Sequence, residues 1–230
     1  MTKWIIIASL AILTGLISCN NDDKLIGIIA VESEFETTDE NWEGGFAGYD
    51  STAVDSIMAL SFSRARLPGV LDSTRYGLRT ASNNTGSNMF MFAKKLVTGL
   101  RPGATYTIVI DMTIGTQYSD AATVASTTFI KAGASIAEPI VTRIDGKYIF
   151  NLNKGIAAEG GTEMVTLGNI ANGQETNGYR LVSRSNGNNP IRVTASPKGE
   201  IWLCVGTDSS FKGATILYYE RIKAILTLQN

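Results

Sequence analysis

The ten residues from Thr105 to Ile114, Thr-Tyr-Thr-Ile-Val-Ile-Asp-Met-Thr-Ile, constrain the fold more than any other stretch of this 230-residue chain. Successive side chains of an extended strand point to opposite faces. Tyr106, Ile108, Ile110, Met112 and Ile114 therefore share one face, while Thr105, Thr107, Asp111 and Thr113 share the other with Val109. A helix would scatter those apolar residues around its circumference, whereas a half-buried strand keeps them together. The preceding Leu100-Arg101-Pro102-Gly103 is a turn, because proline presets φ and glycine allows it to be positive.

The rest of the chain follows the same plan. No long amphipathic helix is legible between Leu25 and Asn230, and short apolar or alternating runs are separated by Gly, Asn, Pro and Asp clusters. Strands are expected at Glu32–Glu36, Met58–Ser63, Met89–Leu96, Ser126–Lys131, Glu163–Leu167, Tyr179–Ser183 and Ile201–Val205. Asp145-Gly146 suits a two-residue hairpin between Ile140–Ile144 and Lys147–Phe150. The segment Thr215–Leu228 is long and apolar enough to be central. No repeat, low-complexity tract or composition break divides residues 25–230. The pattern is that of an all-β chain forming a single antiparallel β-sandwich.

The beginning of the chain has a different character. Lys3 precedes a fourteen-residue run, Trp4–Ile17, that is apolar but for Ser9, Thr14 and Gly15. A membrane span needs about 20 residues, so the run fits the apolar core of a signal peptide. It ends in Leu16-Ile17-Ser18-Cys19, which resembles the lipobox of bacterial lipoproteins. That resemblance implies removal of residues 1–18, lipidation of Cys19 through a thioether, and a short polar tether at 19–24. Asn20 and Asn21 resemble the residues that send such proteins to an outer membrane. The pair Asp22-Asp23 is similar to surface-display signals of Bacteroidetes-type bacteria, although a solvated spacer has the same composition. Acyl chains would hold the protein on a bilayer, since each buried methylene contributes ~0.8 kcal/mol.

Composition removes several kinds of chemistry. The chain contains no histidine, which excludes Ser-His-Asp and Cys-His catalysis and imidazole zinc sites. Twenty basic residues face twenty-one acidic ones, without a basic stripe that would suit nucleic acid. With Cys19 lipidated, Cys204 has no internal disulfide partner, and in Ile-Trp-Leu-Cys-Val it reads as a small buried hydrophobe. No Gly-Lys-Ser or Gly-Lys-Thr marks a phosphate loop. Two carboxylates ~5–10 Å apart can hydrolyse glycosides, yet with so many acids some close pair is inevitable.

Two further resemblances concern the folded part. Phe35-Glu36, Trp42, Leu100 to Tyr106 and Tyr219-Glu220-Arg221-Ile222 resemble the recurrent positions of jelly-roll, galactose-binding-like sandwiches, carbohydrate-binding modules among them. The pieces WEGGFAGY (42–49), MFMFAKKLVTGLRPG (89–103), KAGAS (131–135), MVTLGNIANG (164–173) and WLCVGTDSSFKGATILYY (202–219) resemble a set of bacterial secreted proteins and lipoproteins. The second resemblance implies the fold and leaves the function open.

The jelly-roll resemblance implies a structural calcium held by Glu36 and Glu220. Glu220 interrupts a period-two face of Ile216, Tyr218, Ile222, Ala224 and Leu226, where a carboxylate calls for a cation or an arginine. Such modules usually carry Asp in the last strand, so the longer Glu departs from the pattern. Sugar binding stacks ring faces on aromatics and bonds hydroxyls with amides. The candidates are Trp42, Phe46 and Tyr49 in the glycine-rich WEGGFAGYD, Asn83, Asn84 and Asn88 in SNNTGSN, and Tyr118. Core packing is the alternative for Trp42, and plain turns for the Asn-Gly clusters.

The expected function is a lipid-anchored protein of the cell envelope, placed on the outer membrane and exposed at the surface. It would be a non-catalytic binding module for carbohydrate or another extracellular polymer. The rivals are an adhesive protein with a protein partner and a histidine-independent glycoside hydrolase.

Overall fold

The computed structural model describes residues 27–229, apart from 54 and 87. Cys19, the leader 1–18 and the tether 19–24 lie outside the described residues. In chain order the strands are β1 (Ile28–Ser33), β2 (Glu43–Ala47), β3 (Ser61–Arg66), β4 (Tyr76–Asn84), β5 (Met89–Val97), β6 (Thr105–Thr116) and β7 (Thr128–Ser135). They continue with β8 (Val141–Ile144), β9 (Lys147–Phe150), β10 (Met164–Asn169), β11 (Arg180–Ser185), β12 (Ile191–Thr194), β13 (Ile201–Ser209) and β14 (Gly213–Leu228). Among the described residues helix is confined to single turns, at Asp55–Met58 and Thr123–Ser126 for α-helix and Gly69–Leu71 for 3₁₀. Among the described residues no helix is long and apolar enough to cross a membrane.

The strands form an antiparallel, jelly-roll-like β-sandwich. One sheet runs β11-β6-β14-β4-β3, with β1 also on β14 and β12 also on β6; the other runs β10-β7-β13-β5-β2. The sixteen residues of β14 make it central, as its length predicts: it pairs with β6 on one side and with β4 and then β1 on the other. The alternating face of β6 points inward, with Ile108, Ile110 and Ile114 fully buried. It meets Ile130, Ala132, Leu203 and Val205 of the facing sheet in one continuous core. The Asp145-Gly146 hairpin forms as expected, both residues having positive φ (48° and 75°), as a type I′ turn requires.

Several expectations are corrected. The first strand is Ile28–Ser33, not Glu32–Glu36, and Phe35 leaves it in a left-handed conformation (φ 62°) with its ring buried. Met58 closes a helical turn, and the strand after it is Ser61–Arg66. The glycine-rich WEGGFAGYD contains an edge strand, β2, where a loop was expected. Strands β4 and β12 were not foreseen. Most consequential, β14 carries a bulge: Tyr219 pairs with Ile114 and Arg221 with Thr113, leaving Glu220 as the extra residue. A bulge shifts which side chains face the core. Thr215, Leu217 and Tyr219 are buried before it and Ile222, Ala224 and Leu226 after it, so Ile216 and Tyr218 do not share a face with Ile222. In β4, Gly77 leaves room for this bulge, since a Cβ there would lie 2.7 Å from the Tyr219 carbonyl oxygen.

Candidate functional site

The outer face of the β10-β7-β13-β5-β2 sheet positions the candidate site. Register places Ala47, Phe90 and Asp208 in one row across β2, β5 and β13, and Gly45, Phe92, Gly206 and Lys131 in the next row, which extends onto β7. Glycine is needed twice in that second row. A Cβ on Gly45 would enter the Phe92 ring at 2.3 Å, and one on Gly206 would meet the Phe90 ring at 2.8 Å. The two phenylalanines can therefore lie close over the sheet, stacked at 5.6 Å.

The chain between β7 and β10 folds back over this face. Phe150 packs on both Phe90 and Phe92 with centroids 4.8 Å apart, and Leu152 joins the same cluster. The β8–β9 hairpin is tied to the segment after β2 by backbone bonds. Gly48 N–H donates to the Tyr148 carbonyl (2.7 Å), Tyr148 N–H to that of Tyr49 (3.0 Å), and Ser51 N–H to that of Gly146 (2.8 Å). Between hairpin and edge strand runs an open groove of about 630 Å³. Its aromatic lining is Phe46, Tyr49, Phe92 and Tyr148, and its polar lining includes Glu43 and Lys94. The Tyr49 and Tyr148 rings are 4.9 Å apart and tilted by 40°. Lys94 is held between Glu43 (3.5 Å) and Glu138 and lies 5.2 Å from the Trp202 ring centroid. The arrangement offers apolar ring faces beside fixed donors and acceptors, which suits a ligand with both apolar and hydroxyl faces.

The residues singled out from the sequence divide cleanly. Phe46 and Tyr49 line the groove, and Asn88 lines two smaller depressions beside it. Trp42 does not: it is 2% exposed in the core, and its indole N–H donates to Ser33 Oγ at 3.1 Å. Asn84 is buried and donates from Nδ2 to the Phe211 carbonyl, while Asn83 donates to that of Ile57. Both amides tie loops to the end of β4. Tyr118 is buried and its hydroxyl accepts from the Ile216 N–H at 2.8 Å; burial pushes its pKa up. Trp42, Asn84 and Tyr118 are structural because their polar atoms are engaged in the interior, whereas the half-buried Asn83 makes its bond at the surface.

Glu36 and Glu220 do converge, but on Arg75. Its guanidinium is paired with Glu220 and lies 3.8 Å from Glu36. Calcium takes 6–8 oxygen ligands, and a guanidinium between two carboxylates does not fit that requirement. Among the described residues no group of three or more His, Cys, Asp or Glu could hold a metal.

Sequence reasoning missed Tyr148, Phe92 and Lys94, which only the hairpin and the sheet register bring to the groove. It also missed a buried charge cluster on the same face. Lys131 is fully buried, and its ammonium donates to the Glu159 carbonyl (2.6 Å) and Thr166 Oγ1 (2.8 Å). Its pKa falls to about 8, chiefly through burial and in part through the nearby Lys154, while Asp208 and Glu159 oppose the fall. The available signal was a lysine and an aspartate inside otherwise apolar strands. Cys204 lies buried on this face, and burial raises its thiol pKa far above the reactive range.

No family model matches the chain, and neither does any curated protein. Among solved structures, it is similar to the CBM22-1 xylan-binding domain of Paenibacillus barcinonensis Xyn10C. Identity is 11%, with coverage of 89% of this chain and 97% of that one and a TM-score of 0.42. It is similar also to TmCBM27, a carbohydrate-binding module with specific mannan recognition, at 9% identity, 89% and 99% coverage and a TM-score of 0.41. A third similarity is to the enzymatically active domain of bacteriophage CBA120 tailspike protein 4, at 11% identity and a TM-score of 0.39. That match covers 83% of this chain and spans only 20% of the tailspike chain.

Proposed function

We propose that this chain is a non-catalytic module that binds a carbohydrate polymer, held in the cell envelope by lipid on Cys19 and facing outward. The observation that carries the binding reading is the open groove in which Phe46, Tyr49, Phe92 and Tyr148 surround the polar pair Glu43 and Lys94. Pyranose rings present C–H faces to aromatics and hydroxyls to such side chains. The lipid anchor rests on Leu16-Ile17-Ser18-Cys19 after an apolar run.

The binding test is retention of the purified full chain on a panel of plant, fungal and bacterial polysaccharides. Tyr148→Ala should weaken retention about tenfold, since an aromatic contact contributes ~0.5–1.5 kcal/mol beyond its area. The backbone bonds of Tyr148 would keep the hairpin in place. Unchanged affinity in that variant would move the site out of the groove. Retention on no polymer would favour an adhesive role with a protein partner, for which the exposed Ile136, Ile140, Ile144 and Ile149 supply apolar surface. For the anchor, mass spectrometry of chain purified from cells should find residues 1–18 removed and lipid on Cys19. An intact leader or a free thiol there would end that part of the reading.

A further inference from the structure

Beside the groove, and sharing no lining residue with it, a smaller pocket of about 230 Å³ opens between Ala47, Phe90, Phe150, Leu152, Lys154 and Asp208. Its walls are largely apolar, and one end is charged. Asp208 is 5% exposed and accepts from the Lys154 ammonium at 2.6 Å. The Lys154 ammonium also makes a long 3.4 Å bond to the Gly155 carbonyl and lies 5.4 Å from the Phe90 ring centroid, so donor capacity remains on the pocket side. Lys131 lies fully buried behind the same aspartate, where it interacts electrostatically with both Asp208 and Lys154. Two ammoniums thus share one buried carboxylate, while Glu159, the other acid nearby, is solvent-exposed. The Lys154 side chain is 23% exposed, so this excess of positive charge is open to the pocket, where an anion would relieve it.

The wall that carries Lys154 is prebuilt. Asn153 Oδ1 accepts from Gly155 N–H (3.0 Å), and the Asn153 carbonyl accepts from Glu163 N–H (3.2 Å) and Met164 N–H (3.3 Å), closing the loop at its base. Lys131 pins the loop through the Glu159 carbonyl. Ala157, at the pocket wall, is held at a φ of 42°, a conformation that costs energy outside glycine.

We propose that this pocket is a second binding site, for one six-membered ring bearing a carboxylate, as a hexuronic acid unit does. Its volume lies below the ~300–1,000 Å³ of pockets for drug-sized ligands, so it admits a single ring and not a chain. The apolar ring face packs on Ile149 and the exposed edge of Phe150, and the carboxylate reaches the Lys154 ammonium. Because groove and pocket have separate linings, this site stands or falls independently of polymer binding in the groove.

The test is calorimetric titration of the purified full chain with D-glucuronate, D-galacturonate and D-glucose. At least one acid should bind roughly ten- to hundredfold more tightly than glucose, the worth of a charge-assisted hydrogen bond. Lys154→Met should bring that acid down to the level of glucose. Ile156→Glu changes a rim residue that is 72% exposed, which leaves the fold alone; the new negative charge should weaken the acid and spare glucose. Tyr148→Ala should alter none of these affinities. Equal binding of glucose and both acids, no binding of either acid, or an acid affinity unmoved by Ile156→Glu would each overturn the proposal.

Discussion

Trp42→Ala is expected to remove about 3–5 kcal/mol of folding stability, the usual loss for a buried large aromatic. The melting temperature should fall by roughly 6–20 °C, at ~2–4 °C per kcal/mol for a chain of this size. Trp42 is 2% exposed, packs in the core with Phe35, and donates its indole N–H to Ser33 at the end of β1. It closes the sandwich where the chain crosses from one sheet to the other. Truncation would leave a cavity and remove one bond to the Ser33 hydroxyl, which keeps its bond from the Lys95 ammonium at 3.1 Å. Trp42→Phe restores most of the volume but not the bond, so it should cost nearer ~1 kcal/mol beyond its smaller size. A Trp42→Ala protein that melts like the parent while losing polysaccharide retention would instead return this indole to the binding surface.

What the sequence revealed and concealed follows from which signals are local. The strand β6 was legible because its alternation runs over ten residues with a single break at Val109, and the Asp145-Gly146 hairpin because a two-residue turn declares itself. Strand β4 was hidden by its own burial: Thr80, Ala81 and Ser82 are all buried in succession, so period-two patterning is lost. Strand β2 was hidden because its glycines answer to Phe62 and Phe92 above and below them, contacts with no trace in a local window. At Glu220 a period-two reading extended through a bulge assigns Ile216 and Tyr218 to the wrong face, since one inserted residue inverts the pattern.

The groove shows the same division. Phe46 and Tyr49 in the groove, and Asn88 beside it, could be named from their local segments alone. Tyr148 reaches Tyr49 only because the β8–β9 hairpin, between β7 and β10, folds back over the outer face of their own sheet, a long-range event. Lys131 and Asp208 come within electrostatic reach only once β7 and β13 are aligned side by side.

Removing Arg75 should be the second large perturbation. Arg75→Ala leaves the Glu220 carboxylate, whose side chain is 5% exposed, without a counter-charge at the β14 bulge. Breaking a buried pair from one side typically costs ~3–5 kcal/mol. Arg75 is itself 40% exposed, so water partly replaces it, and about 2–4 kcal/mol is expected here. Adding Glu220→Gln to Arg75→Ala should recover much of the loss, because the stranded charge is then gone. Glu36→Gln should change stability by less than ~1 kcal/mol, as its side chain is 45% exposed and only 3.8 Å contact links it to Arg75. A chelator should leave the melting curve of the parent protein unchanged, since the guanidinium already supplies the charge that a cation would bring. A melting temperature that drops on chelation and recovers with added calcium would mean that Arg75 yields its place to the ion.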